Sequence, residues 1–389
     1  MGTIVVAGAL AQRPGRPGHA WVFLSYLLGF QRLGHEVLFI DRLGAATGAD
    51  GPRDASPGAH PAALAASSPQ ARWLERTMSD AGLEGRYAVL LDGGEETLGM
   101  CRRQLRGELE RASFLLNVNG FLDDEELLAA VPRRVYLDID PGFAQIWEAE
   151  GLADSFAGHD DFVTVATNIG GDGCRVPTGG RRWISTLPPV LLDRWPVAPP
   201  GDAFTSVGSW RGPFAPVEHA GVSYGLRVHE FRRFLELPAR VAAPFELALE
   251  IEPEDGRDLE RLRSAGWKLL DPLEQLGDFA AYGRFVRSSM AEIAIAKGVY
   301  VGTRGGWFSD RSASYLASGK PVVAQDTGYG EALPTGRGLL CFADLDGAVA
   351  AAEEVRTNLS EHCAAARAIA EEHLDSGIVL RRLLGRLGV

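Results

Sequence analysis

The densest set of chemical groups in the 389-residue chain lies at 304–331, RGGWFSDRSASYLASGKPVVAQDTGYGE. Gly305 and Gly306 follow strand-like text and precede helix-like text, so backbone N–H groups and a helix N-terminus converge there. Such a convergence suits a phosphate or pyrophosphate. Arg304 heads the run, Ser309 or Asp310 has the chemistry of an N-cap, and Arg311 can add a charge-assisted contact to a diphosphate. The next turn, QDTGYGE, offers Gln325, Asp326, Thr327 and Glu331 to hydroxyl-bearing groups. An earlier turn, VGSWRG at 207–212, presents Gly208, Ser209 and Arg211 in the same manner. Trp210 and Trp307 are able to flank a ring or simply to pack.

A second group centres on His19, in PGHAW, where a loop gives way to a helix. An imidazole titrates near neutrality and can take a proton from a hydroxyl within hydrogen-bond reach. Such a base needs an orienting carboxylate. Asp138 and Asp140 of LDIDPG, and Asp92, each stand near the end of a strand-like run. The DxD spacing of Asp138 and Asp140 also matches a metal–diphosphate pattern. Three residues are a weak pattern, and Asp140 is read as lining the site or ending its strand, with no metal. LDDEEL (122–127) is the acidic first turn of a helix.

These groups must be positioned by a frame of alternating strands and helices. TIVVAG (3–8) is a buried strand and AWVFLSYLLGFQRLGHE an apolar helix with Gly34 beyond its end. EVLFID closes a βαβ unit on Asp41, which implies a parallel sheet. Strands are predicted at 87–94, 113–120, 133–140 and 162–168, with an irregular Ala/Gly/Pro excursion at 45–70. STLPPVLLDRWPVAPPGD (185–202) reads as an interdomain connection. The pattern then restarts: strand AFTSVG, helix HEFRRFLEL, strand FELALEI, helix EDGRDLERLRSAG, buried strand AEIAIAKGVYVG, helix SDRSASYLASG and strand KPVVAQ. The predicted organisation is a domain at 1–195, a second at 196–375 and a terminal helix at 376–389. Ligands of such sheets lie beyond the carboxyl ends of the strands, so two domains place a site in the cleft between them.

Composition narrows the function. A hydrophobic content of 46% with 23% charged residues is that of a globular protein. The net charge of −12 argues against a nucleic-acid partner or an anionic membrane surface. The four cysteines are far apart and form no CxxC, as in a reducing cytoplasm. No run of about 18 apolar residues predicts a membrane span.

The text GWFSDRSASYLASGKPVVAQDTGYGEALPTGRGLLCF resembles the donor-binding region of GT-B glycosyltransferases. RGGWFS is similar to the plant-type HCGWNS signature, and ASGKPVVAQDTGYGEAL to the cGxPVVatdvGGxxE run of the retaining, sucrose-synthase-like group. The likeness covers about 204–376 best and rests in the first half on GH…RLGHEVLFID. It implies an α/β fold of two Rossmann-like doubly wound domains facing across a cleft. It also implies a metal-independent hexosyltransferase with no cofactor beyond its co-substrate, a dTDP-, UDP- or GDP-sugar. The acceptor is a small molecule such as a natural product, and a homodimer stays open. A His at the place of His19 is the base of inverting members, whereas PVVAQDTGYGE points to retention, so stereochemistry is undecided. Three departures stand out. Arg304 replaces a His, GHAWV lacks the proline of GHxxP, and Ser312 or Ser314 (by register) stands where a ribose-binding Glu is usual. Rival readings are a non-hydrolysing sugar-nucleotide epimerase, a non-catalytic relative and a nicotinamide oxidoreductase. The last needs a GxGxxG that Gly8, Gly15 and Gly18 do not supply.

Overall fold

The computed structural model describes residues 2–44, 66–91 and 94–389, so Asp92 and most of the 45–70 excursion lie outside the described residues. The chain divides into two compact units. One is Met1–Ile139 with Ser155–Val163 and Leu384–Val389, and the other is Asp140–Asp154 with Thr164–Leu383. The Pro-rich stretch at 185–202, from which the 195/196 boundary was read, falls inside the second unit.

The first unit is built on β1 (Thr3–Ala7), β2 (Glu36–Leu43), β3 (Tyr87–Leu91), β4 (Thr97–Gly99), β5 (Ala112–Val118), β6 (Arg134–Asp138) and β7 (Asp161–Thr164). The strand order is β4-β3-β2-β1-β5-β6-β7; the short β8 (Trp183–Ser185) falls within the second unit's residues. The β1–β2, β1–β5, β2–β3 and β5–β6 pairings are parallel, and β3–β4 is antiparallel. β1 is apolar without alternation, and Ile4 to Ala7 are fully buried. That pattern belongs to a strand covered on both faces. The first helix, Pro17–Arg32, opens with proline at its first turn and stops short of Gly34, whose φ is +89°. The βαβ start is therefore as the sequence predicts.

The second unit has six parallel strands: β9 (Phe204–Ser209), β12 (Phe245–Glu250), β13 (Trp267–Leu270), β14 (Ala291–Ala294), β15 (Val322–Gln325) and β16 (Leu339–Phe342). Their order is β13-β12-β9-β14-β15-β16. A separate antiparallel hairpin, β10 (Val217–His219) and β11 (Val222–Tyr224), follows β9. The core is aromatic: Phe204 stacks on Phe245 at 5.0 Å, and Trp267 packs against Phe245 and Phe231. Trp210 is fully buried there with its indole N–H on Asp258 at 3.2 Å, so it packs and faces no ligand.

Both sheets are doubly wound in the Rossmann manner, as expected. Each reverses its strand order at one point, between β1 and β5 in the first and between β9 and β14 in the second. Two elements differ from the sequence reading. HEFRRFLEL is not one helix: Arg227–Phe231 passes through a 3-10 turn, and a new helix, Leu237–Arg240, starts around Pro238. Proline lacks the N–H that a continuous helix would need. AEIAIAKGVYVG is a strand only to Ala294, and Gly298–Thr303 is a helix. An apolar run without period does not distinguish the two.

Candidate functional site

In a doubly wound sheet, ligands sit outside the carboxyl ends of the strands where the order reverses. In the second unit that point lies beyond Gly208 and Ser209 of β9 and Ala294 of β14. Three charged side chains, Glu292, Arg311 and Arg227, lie on or against these two strands. Glu292 of β14 is completely buried and accepts a short hydrogen bond from Nε of Arg311, whose Nη1 also donates to the Val207 carbonyl at 2.9 Å. Burial works against the Arg311 charge, but Glu292 more than offsets it and holds its pKa above the ordinary value. Arg311 is thus not a surface residue, and one edge of its guanidinium is already committed.

Arg227 completes the group. It opens the Arg227–Phe231 helix and lays its guanidinium over Gly208, where a Cβ would stand 1.8 Å from Nη1. Its Nε is sealed from solvent and has no hydrogen-bond partner among the described residues. Burial pushes its pKa down to about 10, and the nearby Arg311 charge adds to that. Tyr300, Glu292 and Asp140 pull the other way without compensating. Among the described residues this guanidinium makes no ion pair.

Lys297 is the N-cap residue of the Gly298–Thr303 helix that bears Tyr300. Lys297 Nζ lies over the rings of Phe143 (5.2 Å), Phe214 (4.9 Å) and Tyr300 (5.2 Å) and donates to Asp140 Oδ1 at 2.6 Å. The Tyr300 hydroxyl donates a short bond to the same oxygen. Asp140 was read as a catalytic partner of His19. It belongs to the second unit, where its Oδ1 accepts from an ammonium and a phenol. The segments that bear Lys297 and Arg227 meet main chain to main chain. Val299 N–H donates to Gly225 O at 3.1 Å, and a Cβ on Gly298 would lie 2.8 Å from that oxygen.

The 304–331 run forms the far wall. Ser309 caps the Asp310–Ala317 helix by accepting from Arg311 N–H at 3.2 Å. Trp307 stacks on Tyr300 at 4.2 Å. A small recess is lined by Ala294–Ala296, Trp307–Ser309, Arg311, Ser312, Ala324, Gln325, Thr327 and Tyr329. The Ser312 hydroxyl, 1% exposed, has no hydrogen-bond partner among the described residues. Gln325 accepts from Ala296 N–H (3.1 Å) and donates to Glu230 (2.7 Å). The Thr327 hydroxyl donates to Trp307 O at 2.5 Å, Asp326 accepts from Gly328 N–H and Arg304, and Glu331 is exposed.

Two expected donor ligands are engaged elsewhere. The Gly306 amide donates to Thr327 O at 2.8 Å and is not offered to an anion. Its glycine is needed for another reason: φ is +79°, and a Cβ would stand 2.2 Å from Thr167 Oγ1. Gly306→Ala is expected to cost about 2–3 kcal/mol in a urea melt, from backbone strain and overpacking together. Arg211 makes a two-pronged bond to Asp255 at 2.6 and 2.5 Å, with its own side chain half exposed.

Burial pushes the Asp310 carboxyl up to about 6; the Arg311 charge opposes the push and the Asp140 charge adds to it. A raised carboxyl pKa means the folded chain binds the proton more tightly, so stability falls as pH rises from the ordinary value near 4 through 6. Asp310→Asn is therefore expected to raise Tm at pH 7.5 and change it little at pH 4.5. Equal shifts at both pH values would remove the electrostatic explanation.

In the first unit, His19 stands in the first turn of the Pro17–Arg32 helix with Nε2 2.8 Å from the Ala9 carbonyl and its ring edge-on to Phe23. Asp138 is 1% exposed at the end of β6, with β5 between it and β1. Among the described residues no group of three or more His, Cys, Asp or Glu could hold a metal ion, and no helix is long and apolar enough to cross a membrane.

Solved structures share this fold. Over 100% of both chains the protein superimposes on Anabaena Alr3699/HepE, solved with UDP-glucose, with a TM-score of 0.60 at 12% identity. The fold is GT-B. AviGT4, a glycosyltransferase involved in avilamycin A biosynthesis, has the same GT-B fold (TM-score 0.51, 13% identity, 99% of this chain and 97% of that one). So does an alpha-glucosyltransferase solved with UDP and a 13-mer DNA containing an A:G mismatch (TM-score 0.59, 12% identity, 100% and 99% covered). No protein-family model matches the chain, and no curated protein is a detectable relative. Sequence reading missed Arg227, Glu292, Lys297 and Tyr300. Of these, Arg227 carried a readable signal, a basic residue at the first position of the first helix after the 207–212 turn.

Proposed function

We propose that the chain transfers a hexosyl unit from a nucleotide diphosphate sugar to a hydroxyl of a small-molecule acceptor, without a metal. The observation that carries this reading is Arg227, a buried guanidinium that makes no ion pair among the described residues, beside Gly208 at the reversal point of a GT-B sheet. A diphosphate supplies the missing charge, and Arg311 and Lys297 lie on the same rim. As the sugar leaves, negative charge builds on the departing phosphate, and fixed cations there stabilise it more than they stabilise the bound donor. Ser309, Ser312 and Gln325 line the adjoining recess and offer hydroxyl and amide groups to the rest of the nucleotide. The first unit would carry the acceptor, with His19 taking its proton.

UDP is the nucleotide to test first, because it is the one bound in several of the similar structures. A thermal-shift panel of UDP, dTDP, GDP, ADP and NAD reads binding through the linkage of stability to ligand, about 2.7 kcal/mol at a hundredfold excess over Kd. At least one pyrimidine or guanine diphosphate should raise Tm. A shift with NAD alone would sink the reading. The responsive nucleotide is then supplied as its sugar conjugate with a panel of hydroxylated acceptors.

A further inference from the structure

Beyond the carboxyl end of β5, at the reversal point of the first sheet, the chain turns back through Asn119–Leu122. Asn119 (φ +52°) and Gly120 (φ +65°) are both left-handed, a conformation that a residue other than glycine adopts at a cost. The turn is held by contacts that offset this. Asn119 N–H donates to Leu137 O at 2.8 Å, and its Oδ1 accepts from Ile139 N–H at 3.1 Å. Asn117, fully buried in β5, makes the second tie. Its Oδ1 accepts from Leu122 N–H at 2.9 Å, and its Nδ2 donates to Leu122 O at 2.9 Å. A main-chain N–H only donates and a carbonyl only accepts, so these two contacts settle the orientation of the Asn117 amide. The other Nδ2 hydrogen then meets His159 Nε2 at 3.0 Å. A donor there requires a lone pair on Nε2, so the neutral ring carries its proton on Nδ1, which faces Phe156 O at 3.3 Å. The ring is partly buried and edge-on to Tyr136 at 5.2 Å. Gly120 seats the turn on the same neighbourhood, since a Cβ there would stand 3.0 Å from Ser155 O and 3.1 Å from Tyr136 Cε2.

We propose that His159 and Asn117 form a proton-operated latch on the Asn119–Leu122 turn: the neutral ring holds the turn closed on β5, and protonation of Nε2 releases it. An imidazolium sets Nε2–H against Nδ2–H. Either the Asn117 amide turns over, which breaks both Leu122 bonds, or the ring withdraws and strips Asn117 of its third contact. His159 is thus a positioning residue, acting on the turn through Asn117. Its bearing on the reaction rests on the reading above that the first unit carries the acceptor, because the turn stands where that sheet presents a ligand. Burial keeps the ring's pKa below the ordinary 6.5. The Phe156 and Ala157 carbonyls work against that, the Arg134 charge adds to it and the Asp160 charge opposes it. Arg134 of β6 and Asp160 are themselves a two-pronged pair at 3.0 and 2.8 Å, so neither charge acts on the ring alone. A lowered imidazole pKa means that the closed turn binds the proton less tightly than the open one. The closed form is therefore fully held above about pH 6.5 and lost as pH falls below it.

The test follows hydrogen exchange of the Gly120–Leu122 amides in the full chain from pH 8 to pH 5, each rate divided by the intrinsic rate at that pH. Protection is expected to be level above pH 7 and to fall about tenfold per pH unit below 6.5, down to the pKa of the closed form. His159→Gln keeps an acceptor oxygen for Asn117 Nδ2 and takes up no proton in this range, so its protection should be independent of pH. Long-range nitrogen–proton correlation spectra of the unmodified chain, assigned through the His159 main chain, should show the Nδ1–H ring at pH 7.5. An Nε2–H ring at that pH overturns the proposal. So does level protection in the unmodified chain, or a fall in His159→Gln equal to that of the unmodified chain. If His159→Gln does not fold, the tautomer and the exchange profile of the unmodified chain decide the matter. In transfer assays the acceptor KM should rise about tenfold between pH 6.5 and 5.5, with the donor KM unchanged, and stay level in His159→Gln. An equal rise in both proteins overturns the role in the reaction. Absence of transfer from any nucleotide sugar by the unmodified chain would be the failure of the transferase reading, while tautomer and exchange still report the latch.

Discussion

Replacing Glu292 by alanine is expected to lower folding stability by about 3–5 kcal/mol, the usual cost of removing one partner from a buried ion pair. Glu292 has no exposed surface, and its partner Arg311 is only 12% exposed. Without the carboxylate, Arg311 and Arg227 become two withdrawn cations with no opposing charge between them. The expected effect exceeds that of a typical core truncation because the remaining charge cannot be rehydrated without opening the fold. The double variant Glu292→Ala, Arg311→Met should recover much of the loss. Urea denaturation of the two single variants and the double gives the coupling directly. A Glu292→Ala loss below about 1 kcal/mol would place this pair with exposed ion pairs and contradict the account of the site.

Arg227→Met has the opposite signature. It removes a cation that burial and Arg311 already disfavour, so stability without ligand should hold or rise. Affinity for the nucleoside diphosphate should fall about 10–100-fold, the range for losing charge-assisted hydrogen bonds of about 1.5–3 kcal/mol. Arg211→Met is the matched control. Its guanidinium is taken up by Asp255, and affinity should stay within about twofold. Calorimetric titration of the three proteins at one ionic strength separates the outcomes. Equal losses in both variants would show that long-range charge, and not the placement of Arg227, governs binding.

Much of the frame was legible in the sequence because buried parallel strands announce themselves. TIVVA, EVLFID, FELALE and KPVVAQ are short apolar runs stopped by charge, glycine or proline, and each became a strand. The Asp310–Ala317 helix was legible from Ser309 and Gly319. Less of the candidate site was readable, and for a physical reason. Its cations come from places where local signals conflict. Lys297 sits where an apolar run switches from strand to helix, and the switch is enforced by contact with Gly225 far away in sequence. Arg227 is separated from Gly208 by a hairpin, so no short motif contains both. Glu292 looks like an isolated charge in strand text until Arg311 is seen beside it. Conversely, Gly306 was read as a phosphate cradle, and its amide donates to the Thr327 carbonyl of the following loop. The role of a glycine depends on where its N–H points, which spacing does not reveal.

The contact between Gly225 and Gly298 acts as a ruler. Because main chain touches main chain there, the separation between the segments bearing Arg227 and Lys297 is measured in backbone atoms, and no side chain enters it. Substitutions around the ruler can change packing, polarity and shape without altering how far apart the two positive charges are anchored. A site gauged in this way can persist while nearly all of the surrounding sequence is exchanged, whereas a single methyl group at position 298 would reset it.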